Sequence, residues 1–83
     1  MAKSSNSPYI RLAAAIRARR RSLDLSQTEL SEFAGCGLTF VNQLESGKET
    51  IRLDKLLDVL KVLGLELTLE SGKEVLRVSD NLK

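Results

Sequence analysis

Between Leu25 and Lys48 the chain reads LSQTELSEFAGCGLTFVNQLESGK, and no other stretch restricts the fold as much. Ser26 and Glu29 stand in the S-x-x-E spacing of a capping box. The Ser26 hydroxyl can accept from the Glu29 amide, and the Glu29 carboxylate can reach back to the Ser26 amide. Leu25, just before the cap, falls where a hydrophobic staple would meet Leu30. Leu30, Phe33 and Ala34 follow at helical spacing and predict one apolar face. Gly35 ends this helix, because glycine takes the left-handed C-cap conformation at no steric cost. Gly37 lets the chain reverse within two residues. Phe40, Val41 and Leu44 predict the inward face of a second short helix, closed by Ser46-Gly47. Leu38, Thr39, Asn42 and Gln43 are left outside it, near its N-terminal half and along one side.

Two short helices joined by such a turn are the outline of a helix-turn-helix, the unit that sets its second helix in the major groove of DNA. The residues left outside carry suitable chemistry. Thr39 and Gln43 are four apart and share a face. Glutamine can pair bidentately with adenine, and threonine can bond a base or touch a thymine methyl. Asn42 can reach a phosphate or a base. Leu38 can pack on a thymine methyl or close the core. These four are the candidate base contacts. Gln27 opens the first helix of the pair, where free amides and the helix dipole attract phosphate. It is a candidate backbone contact, with a plain solvated side chain as the alternative. Lys48, just past Gly47, is a candidate phosphate clamp. Arg17 and Arg21 share a face and can add phosphate contacts or meet a protein partner. Cys36, in the tight turn, reads as a small packing residue.

The remaining elements frame this unit. Residues 1–6 are polar and are expected to fray, giving a flexible N-terminus. Ser7-Pro8 predicts a helix start, with serine at the N-cap and proline at the first helical position. That helix runs to about Leu23, with Leu12, Ile16 and Leu23 toward the core. Lys48 to Arg52 is a loop. Leu53, Leu56, Leu57, Leu60 and Leu63 predict an amphipathic helix with Gly64 as its C-cap, and Asp54, Lys55, Asp58 and Lys61 outside. The period then changes. Leu65, Leu67 and Leu69 alternate with Glu66, Thr68 and Glu70, as in a half-buried strand. Ser71-Gly72-Lys73 is a turn, Glu74 to Val78 a less clean second strand, and 79–83 a tail. The organisation is therefore a helical domain over 7–64 and a strand segment over 65–78. Two strands form a marginal sheet by themselves. A dimer in which two chains share the sheet through Leu65, Leu67 and Leu69 is favoured, and a hairpin folded onto its own helices is the alternative.

Composition narrows the function. With 83 residues the chain predicts one small domain with a limited core, a size at which oligomers are common. No apolar run reaches the length of a membrane span, and MAKSSNS lacks the apolar core of a signal peptide, so a cytoplasmic protein with no membrane partner is the expectation. One cysteine and no histidine leave no internal disulfide, no metal cluster and no common general base. No cofactor and no enzymatic activity are expected. Net charge is only +2, but Lys3, Arg11, Arg17, Arg19, Arg20 and Arg21 all fall in the first 23 residues, which hold no acid. A basic lobe suits an anionic partner approached from one side.

The segment resembles the Xre/Cro-type helix-turn-helix family of small repressors. The resemblance rests on Ser26-Gln27, Glu29-Leu30, Phe33-Ala34-Gly35, Val41 and Gln43 through Lys48. It continues through Ile51-Arg52-Leu53 and the leucine-rich helix ending at Leu63-Gly64, and covers residues 9 to 70. Within the family, IRLDKLLDVLKVLGLEL looks most like the antitoxins of HipB type. The resemblance implies a mostly α fold of four to five helices with a short C-terminal strand or hairpin shared in a dimer sheet. It implies that Gln27 grips the DNA backbone and that Arg20 and Glu45 form a structural ion pair. It also implies a bacterial repressor of a palindromic operator, bound to the nucleoid when on DNA, that partners a HipA-like kinase toxin. Leu38 departs from the family, which often has a polar residue there. A stand-alone Cro-type repressor, or an adaptor that has lost DNA binding, are the alternatives.

Overall fold

The computed structural model describes residues 7–69, residue 71, and the backbone of 76–80. Four helices come first: α1 (Pro8–Ser22), α2 (Gln27–Ala34), α3 (Leu38–Glu45) and α4 (Leu53–Leu63). Two strands follow, β1 (Leu65–Leu69) and β2 (Leu76–Asp80). The helix count is thus four among the described residues, at the lower end of the expected range.

Local sequence sets the boundaries. Ser7 caps α1 by accepting from the Tyr9 amide at 3.2 Å, and Pro8 takes the first helical position. Both halves of the capping box form at α2: Glu29 N donates to Ser26 Oγ at 3.0 Å, and Ser26 N donates to Glu29 Oε1 at 2.8 Å. Such a cap is worth about 1 kcal/mol over alanine. Gly35 ends α2 at φ 70° and Gly64 ends α4 at φ 69°, both left-handed. Gly37 behaves differently from the turn residue expected. It is extended, at φ −79°, and serves as the N-cap of α3.

The core is a single cluster. Leu12 and Ile16 of α1 meet Leu30 of α2, Val41 and Leu44 of α3, Leu56, Val59, Leu60 and Leu63 of α4, and Leu65 of β1. Burying each of the larger side chains stabilises the fold by about 1.5–3 kcal/mol. Leu25, Ala34, Cys36 and Phe40 pack against this cluster from its margin.

Several expected core positions turn outward. Leu23 is exposed because α1 ends at Ser22 and Leu23 has already left the helical path. Phe33 is 67% exposed; α2 turns Leu30 and Ser31 inward instead. Leu53 and Leu57 lie on one flank of α4, exposed, while Val59 takes a central core place the leucine pattern did not assign it.

The strands pair antiparallel with Leu65 opposite Asp80, Leu67 opposite Val78, and Leu69 opposite Leu76. Within the chain they form the hairpin, the alternative to a shared sheet. The second strand starts at Leu76 and runs through Ser79 and Asp80, which the sequence had placed in a tail. The expected frayed N-terminus, the turn beyond Ser71, the first residues of the second strand and the end of the tail lie outside the described residues.

Candidate nucleic-acid interface

The interface candidate is α3 with the chain on either side of it. Its position depends on one buried carboxylate. Glu45, the last residue of α3, is 5% exposed. Arg20 Nε donates to Glu45 Oε2 at 2.7 Å and Arg20 Nη2 to Glu45 Oε1 at 2.9 Å, a two-pronged pair. Arg20 Nη1 also donates to the Leu25 carbonyl at 2.9 Å. Gln27 Nε2 adds a bond to Glu45 Oε1 at 3.0 Å. Arg17 Nη1 donates to the backbone carbonyl of Glu45 at 3.1 Å, satisfying a helix-end acceptor with a cation. Helices α1, α2 and α3 therefore converge on Glu45.

The charge states follow. Burial pushes the Glu45 carboxyl up, but the hydrogen bonds from Arg20 and Gln27 and the nearby Arg20 and Arg17 charges outweigh it, and the pKa lies below the usual carboxylate value. The bond to Glu45 raises the Arg20 pKa in turn, against the opposing effect of burial. A buried pair of this kind stays fully ionised at neutral pH.

The outer side of α3 contrasts with this. Leu38, Thr39 and Asn42 are exposed and Gln43 is half-buried. Leu38 is 42% exposed, so it does not close the core. The turn after α3 is enforced by Gly47, which is buried at φ 85°; a β-carbon there would stand 2.6 Å from Ile10 Cδ1. Lys48 is exposed beyond it. Its amide donates to the Gln43 carbonyl at 3.1 Å, and its Nζ to Gln43 Oε1 at 3.3 Å.

Beside α3 lies an open groove lined by Thr39, Phe40, Gln43, Lys48, Arg52 and Lys55, among others. The Lys55 ammonium sits 6.0 Å from the centre of the Phe40 ring. Arg52 pairs in solvent with Asp54 at 2.7 Å, and that guanidinium holds the Asp54 carboxyl below its usual value. Sequence reasoning missed Arg52 and Lys55 here. It treated one as a loop residue and the other as the solvated side of α4; the charge signal was present, but their approach to α3 is tertiary.

The structure thus brings Thr39, Gln43 and Lys48 together and keeps Asn42 and Leu38 on the outer surface of the same helix. Arg20 and Glu45 pair as the resemblance implied. Gln27 and Arg17 instead each have a donor engaged at Glu45. Arg21 is exposed on α1. Cys36 is half-buried, and burial raises its thiol pKa, which suits packing. Among the described residues no group of three metal-binding side chains gathers, and no helix is long and apolar enough to cross a membrane.

Residues 16–69 match the helix-turn-helix family, HTH_3. The chain is 40% identical over 67 residues to the uncharacterized HTH-type transcriptional regulator y4mF of Sinorhizobium fredii, covering 81% of this chain and 87% of that one. Two solved structures align at 25% identity with a TM-score of 0.70, covering 87% of this chain and 100% of theirs. One is described as MDT Protein and the other is titled as a HipA-HipB-O2-O3 complex. The chain belongs to the helix-turn-helix family, in the Xre-like branch. By class it is a DNA-binding regulator of transcription and not an enzyme.

Proposed function

We propose that this regulator is a sequence-specific repressor that binds a palindromic duplex as a homodimer. More narrowly, it is the antitoxin of a toxin–antitoxin operon, which holds a HipA-like kinase toxin and represses its own operon with it. One observation carries the DNA reading. Helix α3 is fixed to the body at Glu45 and exposes Thr39 and Asn42, beside a half-buried Gln43 whose Oε1 accepts from Lys48. A rigid helix with base-edge chemistry on its free side is what major-groove reading requires.

In this reading Thr39, Gln43 and Asn42 meet base edges and Leu38 packs on a thymine methyl. Lys48 and Arg21 meet phosphates. Gln27 and Arg17 retain further N–H groups beyond those bound to Glu45 and meet the backbone with them. Arg52 and Lys55 extend the cationic flank along the groove. The antitoxin half rests on the similarity to a chain of the HipA-HipB-O2-O3 structure over all of that chain's length. The dimer is supported by the smallness of the β1–β2 sheet, which leaves the outer edge of each strand without a strand neighbour among the described residues. Leu69, at the end of β1, is 77% exposed. No cofactor is needed, and the cytoplasm, with the nucleoid, is where such a protein would act.

The test is a titration of the purified protein against the duplex upstream of its own gene, at two salt concentrations, with a scrambled duplex as control. Specific binding that weakens steeply with salt is expected, because neutralised phosphates release counterions. Absence of binding at both salts, for the protein alone and together with the product of the neighbouring gene, rules the repressor out. Co-expression with the product of the neighbouring gene then tests the antitoxin half by co-purification.

A further inference from the structure

The Gln43 carboxamide has its oxygen end engaged. Its Oε1 accepts from Lys48 Nζ at 3.3 Å. A lysine ammonium only donates, so it can face only the carbonyl end of the amide. The backbone reinforces the arrangement. Gly47 takes its left-handed turn at φ 85°, and Lys48 N donates to the Gln43 carbonyl at 3.1 Å. Backbone and side chain of Lys48 thus both donate to Gln43. The Lys55 ammonium lies in the same groove, over Phe40, and adds a second cation to its lining. Arg52 contributes less, being paired with Asp54.

Building on the DNA-reading role proposed above, we infer that Lys48 is a positioning residue for base specificity. It holds the Gln43 oxygen toward the groove, so that the helix offers the amide N–H groups to the DNA. Adenine needs one donor and one acceptor from a bidentate glutamine, because its major-groove edge presents N7 as acceptor and the N6 amino group as donor. Guanine presents two acceptors, N7 and O6. A glutamine whose oxygen is engaged by Lys48 matches guanine. Lys48 therefore shifts the position read by Gln43 from the adenine preference of an unrestrained glutamine to guanine.

The experiment is selection from a randomised duplex library with four proteins: wild type, Gln43→Ala, Lys48→Met and Lys48→Arg. The base position whose preference disappears in Gln43→Ala is the one to read. Wild type is expected to select guanine there. Lys48→Met should move the guanine-to-adenine ratio by roughly tenfold or more toward adenine, the scale of one good base contact. Lys48→Arg, still donor-only, should keep guanine. Wild-type adenine at that position overturns the inference. So does an unchanged base in Lys48→Met with weaker binding to every sequence, which would make Lys48 a phosphate clamp alone. A wild-type protein that enriches no sequence contradicts the repressor reading itself, a distinct outcome that removes the inference with it.

Discussion

Two sides of one short helix differ in how their polar groups are satisfied. On the inner side the Glu45 side chain is 3% exposed and has its carboxylate bound by Arg20 and Gln27. On the outer side, Asn42 and Thr39 face solvent, and the half-buried Gln43 accepts a side-chain hydrogen bond from Lys48. The inner polar groups find their partners within the chain. The outer ones are those assigned to DNA in the proposed reading. In the proposed reading these eight residues serve as anchor and reader at once.

Substitutions can break that contrast from either side. Glu45→Ala should have the largest effect. It leaves the Arg20 guanidinium buried without its partner, a loss of about 3–5 kcal/mol. Urea unfolding should show a much lower midpoint; an unchanged midpoint would mean that the pair is not the anchor. Gln43→Ala should do the reverse. Its unfolding midpoint should stay within about 0.5 kcal/mol of wild type, while discrimination between specific and scrambled duplex falls by about 1–3 kcal/mol. Gly47→Ala touches both sides, because the turn joins anchor to reader. A non-glycine residue in the left-handed region costs about 1–2 kcal/mol, and Ile10 must shift its terminal methyl as well.

The anchor should also be sensitive to acid. Folding lowers the Glu45 pKa, so the folded state holds that proton less tightly than the unfolded chain does. The stability from this group is therefore full above the unfolded carboxylate value of about 4.3 and is lost as pH falls through the lower folded value. Urea midpoints of wild type and Glu45→Gln should converge below that value and diverge above it. The smallest effect belongs to Phe33→Ser. That ring is 67% exposed, so the change should leave stability within about 0.5 kcal/mol, despite the helical spacing that suggested a core role.

What the sequence disclosed follows from the range of each interaction. The capping box at Ser26 and Glu29 and the C-cap at Gly64 involve neighbours along the chain, and their signals are complete within a few residues. Apolar spacing is less informative, because it identifies a stripe without saying where its edges meet another element. Leu53 and Leu57 fell outside the buried strip of α4 and Val59 inside it for that reason. The Arg20–Glu45 pair spans 25 residues and became visible only through family resemblance. The bonds from Gln27 and Arg17 to Glu45, and the approach of Lys55 to Phe40, depend on how helices cross, and no local pattern encodes them.

The most direct test of the anchor-and-reader account is an amide NMR spectrum of the labelled protein with and without the duplex upstream of its gene. The account predicts that the Asn42 and Gln43 side-chain amides shift most, with Thr39 and Lys48 backbone signals beside them, while Leu60 and Val59 in the core remain in place. Perturbations confined to the start of α1 and to β1, with α3 unmoved, would contradict it.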